Sequence, residues 1–201
     1  MEQANFYREQ LPGSRAAEYL AAERGLSIDD VARFGLGYSG ETEPGHEIYG
    51  GRLVIPYLRY LAGSWSVVGL KFRRIGEGSG AKYLGDTRPR LFNTADAVEN
   101  DDEISICEGE IDALTASVAG IPAVGVPGVD TWRPIWNRIF DGYQRIWVFA
   151  DGDQPGRDFA KMLTRELRAD VRTVRMPDGT DVNSYARDYG RDQLRRLIGR
   201  E

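Results

Sequence analysis

From Ile104 onward, short apolar runs alternate with stretches of helical periodicity, and that alternation leaves few folds open to the chain. The runs are Ile104-Ser105-Ile106-Cys107, Ala123-Val124-Gly125-Val126, Ile146-Trp147-Val148-Phe149-Ala150 and Val171-Arg172-Thr173-Val174. Their length and β-branched or aromatic content suit buried parallel strands. Helices are expected between them at 112–119, 132–140 and 155–168, with Pro155 near the start of the last. A βαβαβαβ order implies a Rossmann-like parallel sheet with right-handed crossovers. Two of the runs end in acids, Glu108-Gly109-Glu110-Ile111-Asp112 and Asp151-Gly152-Asp153. Ligands of open α/β sheets sit outside the carboxyl ends of the strands. Carboxylates crowded there repel one another unless a hard cation neutralises them, and Mg²⁺ prefers oxygen ligands.

Composition narrows the chemistry. One cysteine, Cys107, and one histidine, His46, exclude an intramolecular disulfide and a Cys/His zinc site. Cys107 falls inside an expected strand and reads as a small buried apolar residue; His46 lies in a Gly/Pro/Glu-rich loop and reads as solvated. Acid and base work must then come from carboxylates, lysine, tyrosine or metal-bound water. No stretch approaches the roughly 20 apolar residues of a membrane span, and the start lacks the pattern of a signal peptide. A cytoplasmic protein without membrane partners is expected.

The net charge of −5 conceals a basic segment. From Arg52 to Arg90 there are eight bases (Arg52, Arg59, Lys71, Arg73, Arg74, Lys82, Arg88, Arg90) against two acids (Glu77, Asp86). The same half offers a helix at 14–24 with Ser14 as N-cap and Gly25 as C-cap, and a shorter one at 27–34 capped by Ser27. Two strands, at 52–57 and 65–73, should pair antiparallel around Ala62-Gly63-Ser64. Gly76-Glu77-Gly78-Ser79-Gly80 reads as a loop that is mobile until a ligand orders it. The last 20 residues carry two short helical patterns broken at Gly190.

Glu-Gly-x-x-Asp after one strand (Glu108, Gly109, Asp112), Asp-x-Asp after a later one (Asp151, Asp153) and Pro177-Asp178-Gly179-Thr180-Asp181-Val182-Asn183 after the next resemble, as an ordered set, the Toprim domain. Upstream, Glu23-Arg24-Gly25-Leu26-Ser27, Phe34-Gly35-Leu36-Gly37-Tyr38, Gly51 to Tyr57, Gly69-Leu70-Lys71-Phe72-Arg73, Lys82-Tyr83-Leu84 and Leu91-Phe92 resemble, in order and spacing, the amino-terminal subdomain of the DnaG primase catalytic core. The resemblance covers roughly residues 15–199. It implies an α/β protein: an α+β primase-core subdomain over 1–100, a Toprim domain over 101–180 and a short helical segment over 181–201.

The resemblance also implies a function: metal-dependent synthesis of short RNA primers on single-stranded DNA from ribonucleoside triphosphates. Glu108, Asp151 and Asp153 would be catalytic and hold the principal Mg²⁺ or Mn²⁺, with Asp112, Asp181 and Asn183 completing a second or water-mediated site; zinc is not expected. Arg52, Lys71, Arg73, Lys82 and Tyr83 would bind nucleotide or DNA, Arg52, Arg73 and Lys82 facing phosphate across a groove from the metals. Lys71 and Arg74 are expected on the opposite strand face, and Glu110 is expected to point to solvent. Trp132 and Trp136, at helical spacing, read as core packing, whereas Tyr83 is placed to stack on a base.

Departures from the family pattern qualify these expectations. There is no Cys/His cluster for a zinc module and no C-terminal helicase-interaction domain; the lysine expected near Asn93-Thr94 is missing, and Asn183 stands for an acid. A bare catalytic core is implied, suited to a phage replication module, with a replicative helicase or a separate zinc-module subunit as further partners. A Toprim nuclease using the same metals, and an inactive primase-derived DNA-binding subunit, are the competing readings.

Overall fold

Ser14 and Ser27 do what their positions in the chain suggest: each accepts a hydrogen bond from a backbone amide at the start of a helix. The computed structural model describes residues 2–86, 88–100 and 102–200. Helix α1 spans Glu2–Glu9, α2 Arg15–Arg24 and α3 Ile28–Val31. Ser14 accepts from the Ala17 amide, and α2 ends at Gly25 in the left-handed conformation. Ser27 and Asp30 form a reciprocal capping box on α3, which runs on as a 3₁₀ turn at Ala32–Phe34. Ala16, Tyr19 and Leu20 form the buried stripe of α2.

The chain divides into two compact units, Met1–Arg88 and Pro89–Glu201. The expected boundary at residue 101 lies outside the described residues. In the first unit, strands β1 (Gly37–Tyr38), β2 (Arg52–Leu61), β3 (Ser64–Arg74) and β4 (Tyr83–Gly85) form an antiparallel sheet in chain order. Both residues of the Ala62-Gly63 turn have positive φ, as a two-residue hairpin loop favours. Leu53, Val54, Ile55 and Tyr57 of β2 are all buried, which is why β2 reads as a continuous apolar run and not as an alternation. Tyr7 of α1 seals one face against Val54 and Phe72.

In the second unit, helix α4 (Thr94–Glu99) precedes strands β5 (Glu103–Cys107), β6 (Ala123–Gly125), β7 (Arg145–Ala150) and β8 (Asp170–Arg175). These strands form a parallel sheet in the order β6-β5-β7-β8. Helix α5 (Glu110–Val118) links β5 to β6, and α6 (Gln154–Glu166) links β7 to β8. The two crossovers run in opposite directions along the sheet, so right-handedness puts α5 and α6 on opposite faces. Helices α7 (Val182–Tyr189) and α8 (Arg191–Arg196) follow, and α7 lies on α5. Among the described residues no helix is long and apolar enough to cross a membrane.

One expected helix is corrected. The 132–140 segment is not α-helical but carries a 3₁₀ stretch, Pro134–Ile139, just after another at Val129–Thr131. Pro134 holds Arg133 in the extended region, which cuts the segment into pieces too short for an α-helix. Trp132 and Trp136 still pack edge to face, 5.5 Å between ring centres, within the core that includes Phe140 and Phe159.

Candidate active site

Strand order alone selects a location in the second unit. Crossovers leave β5 toward β6 on one side and reach β7 and then β8 on the other, so the order reverses between β5 and β7. The crevice at such a switch point is where open α/β sheets bind ligands. Glu108 follows the last residue of β5 and Asp151 the last residue of β7. The two loops touch: the Asp151 amide donates to Glu108 Oε1 at 2.8 Å. The third acidic loop joins through backbone. The Gly152 amide donates to the Thr180 carbonyl at 2.9 Å, and the Gly179 amide donates to the Gly152 carbonyl at 3.0 Å.

Each acid has a structural duty as well. Asp153 is the N-cap of α6, its Oδ1 accepting from the Gly156 amide at 2.8 Å. Asp181 caps α7 in a reciprocal box with Ser184. Asp112, in the first turn of α5, accepts from the Asn183 amide at 3.0 Å. Asn183 is 1% exposed and its side-chain amide donates to Thr115 Oγ1, so it lies between α5 and α7. Among the described residues no three Asp, Glu, His or Cys side chains converge closely enough to hold an ion as they stand. The acids share one end of the sheet without closing into a cage.

Their electrostatics nonetheless suit a cation. Asp151 Oδ1 is buried and accepts no hydrogen bond among the described residues. Burial, together with the charges of Asp112, Glu108, Asp181 and Asp153, pushes the Asp151 carboxyl up to about 8. Burial pushes Glu108 up to about 7 against the pull of the Asp151 amide, with Asp153 and Asp112 adding to the rise. An orphaned oxygen among five mutually repelling carboxylates fits a divalent ion, which would supply the missing positive charge. Glu108, Asp151 and Asp153 are the residues that would hold it, with Asp181 and Asp112 beside them.

A pH dependence follows from those two shifts. Both carboxyls hold protons in the folded chain over a range where the unfolded chain has lost them, so their contribution to stability is complete below about pH 4 and falls away as pH rises through about 7 and about 8. A divalent ion must displace those protons. The chelated protein is therefore expected to melt at lower temperature at pH 8.5 than at pH 5.5, with Mg²⁺ restoring more at pH 8.5. Thermal scans at the two pH values, with and without Mg²⁺, check this; a Mg²⁺ effect that shrinks with rising pH would refute it.

In the first unit Lys71, Arg73 and Lys82 meet around Tyr83. Arg73, only 7% exposed, donates from Nε to the Tyr19 hydroxyl at 3.0 Å and from Nη1 to the Tyr83 hydroxyl. Burial opposes its charge, but the two tyrosines outweigh that and raise its pKa. Lys71 Nζ lies 5.0 Å and Lys82 Nζ 5.9 Å from the Tyr83 ring centre. Lys71 was expected on the face opposite Arg73; as residues i and i+2 of β3 they share a face, and both meet Tyr83. Tyr19, Arg24, Arg73, Arg74 and Lys82 line a cavity of about 460 Å³ with Glu23 and Glu77. Arg52 Nη1 donates to the Ala81 carbonyl and Arg74 Nη1 to the Gly80 carbonyl, so arginines tether the Gly-rich loop.

Other expectations change. Glu110 does not point to solvent: it is the first residue of α5 and 2% exposed. His46 is not a solvated loop residue: its Nδ1 pairs with the Tyr7 hydroxyl at 2.8 Å and its ring stacks on Tyr7. Cys107 is buried at the end of β5, as expected, and burial with the nearby acids holds its thiol well above the usual range. Asp153 and Asp181 are helix caps as well, and Asp153-x-Pro155 and Asp181-x-x-Ser184 are the sequence signals of those helix starts.

Comparison with known proteins bears on both units. Residues 103–192 match the family model described as Toprim domain. The Gene 57 protein of Mycobacterium phage D29 is 43% identical, the alignment covering 73% of this chain and 97% of that protein. A DNA primase of Aquifex aeolicus is 25% identical, covering 96% of this chain but 47% of the primase. A crystal structure of a DNA primase domain from Pseudomonas aeruginosa superposes with a TM-score of 0.74 at 26% identity, covering 97% of this chain and 75% of that one. The chain thus spans about half the length of the Aquifex primase, and nearly all of the phage protein.

Proposed function

The chain belongs to the DnaG-type primase family, whose Toprim domain it carries, and from that premise we propose that it is a primase core that joins ribonucleotides on a single-stranded DNA template. The observation that supports this reading is the pairing of Glu108 with the Asp151 loop at the switch point, where the Asp151 Oδ1 has no donor. Bound there, Mg²⁺ or Mn²⁺ would acidify a 3′-hydroxyl and neutralise a pyrophosphate leaving group. The protein's own part is to hold that charge in place. Asp151 keeps its free oxygen in a half-buried setting, Glu108 orients the Asp151 backbone, and Asp153 and Asp181 fix their loops by capping α6 and α7.

In this reading the cationic cavity of the first unit binds triphosphate or template backbone through Arg24, Arg74 and Lys82. Arg73, braced by two tyrosine hydroxyls, supplies a fixed positive charge, and Lys71 is held against the Tyr57 and Tyr83 rings. Arg52 anchors the Gly-rich loop near them. Asn183 serves as the joint between α5 and α7. A replicative helicase and a zinc-module subunit are further partners in this reading.

The test is one incubation. Purified protein with single-stranded DNA, labelled ribonucleoside triphosphates and Mg²⁺ or Mn²⁺ is expected to yield template-dependent dinucleotides, and chelator to abolish them. Cleavage of the strand would mark a nuclease instead. Strand binding without either reaction would mark an inactive descendant of a primase, and both outcomes refute the proposal.

A further inference from the structure

On α6, three bases fall at positions i, i+4 and i+8: Arg157, Lys161 and Arg165. Like charges at that spacing destabilise a helix by a few tenths of a kcal/mol per pair, and a cation near the N-terminus also opposes the helix dipole. The stripe faces Arg175 and Thr173 on strand β8, and together with Thr164, Ala150 and Ala160 these residues enclose a cavity of about 210 Å³. Among the described residues no carboxylate lines it.

The charges inside are poorly compensated. Lys161 pairs with Asp158 at 3.1 Å, but both side chains are mostly exposed, and such a pair is weak. Arg157 is engaged by Gln154 Oε1, a neutral acceptor that leaves its charge intact. The side chains of Arg165 and Arg175 make no hydrogen bond or ion pair among the described residues. Protection of the sheet edge does not account for the arrangement. On β8, Arg172 pairs with Asp170, whereas Thr173 and Arg175 turn toward α6. Arg165, in the last turn, complements the helix dipole, but the like-charge spacing of the stripe and Arg157 near the N-terminus oppose the helix, and such a local conflict is where a binding site is expected.

We propose that this cavity is a second phosphate site, separate from the acidic crevice and independent of metal, that takes a backbone phosphate of a nucleic-acid strand. Its volume is below the roughly 300 Å³ at which pockets begin to accept whole small molecules, so it suits a phosphate group and not a nucleoside. Arginine forks and the Thr173 hydroxyl are the donors such a group needs, the Thr164 hydroxyl being donated to the Ala160 carbonyl. A strand and free inorganic phosphate present the same chemistry, and the strand is the source assigned here because it brings successive phosphates along the stripe. This assignment rests on the chain acting on nucleic acid, but its test requires no catalysis.

The test is fluorescence anisotropy of a labelled single-stranded oligonucleotide in chelator, over a series of salt concentrations. The triple variant K161A/R165A/R175A is compared with wild type and with R187A/R196A, which removes charges from α7 and α8. Each phosphate contact on a single strand contributes about 0.7 to the slope of log K against log salt. The triple variant is expected to bind at least tenfold more weakly at low salt, with a slope shallower by about 2, while the control changes far less. Unchanged affinity and slope in the triple variant, or equal losses in the control, overturn the proposal. Titration of tripolyphosphate separates the sources: if the triple variant loses tripolyphosphate binding but keeps the oligonucleotide, the strand assignment is wrong. Because chelator silences any polymerase, a chain that makes no primers yet loses strand affinity in the triple variant keeps this site and loses the enzyme assignment. All three side chains are largely exposed, and a thermal scan of the variant verifies that it folds.

Discussion

Asp151→Asn is expected to lower primer synthesis by on the order of 10²–10³-fold and, in chelator, to make the protein more stable than wild type. The two effects have one origin. Asp151 presents a buried oxygen without a donor to four other carboxylates, an arrangement useful for a cation and costly without one. Asparagine keeps the shape, removes the charge and ends the repulsion. Allowing for solvent screening at a half-buried site, the gain at pH 8.5 is expected to be about 1 kcal/mol, or roughly 2–4 °C in Tm for a chain of this size. The variant should also lose much of the fall in stability between pH 5.5 and 8.5, since the Asp151 proton no longer takes part. Initial rates over a Mg²⁺ series and thermal scans in chelator measure the two arms. A wild-type rate at every Mg²⁺ concentration, or a lower Tm in chelator, would remove Asp151 from the centre of the site.

The strands of the second unit and the acids behind them were legible because both are local signals. Ile104 to Cys107 and Ile146 to Ala150 are apolar runs whose length and side chains specify buried strands before any partner is known. What escaped was non-local or turned on one residue. Pro134 broke an expected helix through its effect on Arg133, a steric constraint that apolar periodicity does not register. Glu110 was expected in solvent from strand alternation, but the chain is already helical there. His46 lies in a loop by composition, yet Tyr7, 39 residues earlier, gives its ring a partner. For the acids, the sequence placed several carboxylates behind strands but not the backbone amides that occupy one oxygen each on Glu108, Asp112, Asp153 and Asp181. Only coordinates separate those occupied oxygens from the free one on Asp151.

That dependence on backbone makes Gly152 the most vulnerable position in the unit that removes no chemistry. A methyl group at its Cβ would overlap the Pro177 carbonyl and lie 2.9 Å from the Gly179 nitrogen, both main-chain atoms that cannot swing aside. Relief requires the Asp151–Asp153 loop and the Pro177–Asp181 loop to part, which gives up the hydrogen bonds from Gly152 to Thr180 and from Gly179 to Gly152. Gly152→Ala is therefore expected to destabilise the chain by about 1–3 kcal/mol, as overpacking in a tight interior does. Displacing Asp181 from Asp151 by even about 1 Å is expected to cost on the order of 10²-fold in primer synthesis. Gly142→Ala, where a Cβ meets nothing within 4 Å, is the matched control and should leave both properties near wild type. Denaturant unfolding and single-turnover synthesis at saturating Mg²⁺ read the two losses separately. If Gly152→Ala unfolds and reacts like the control, the two loops do not depend on their close approach, and the site must be held together some other way.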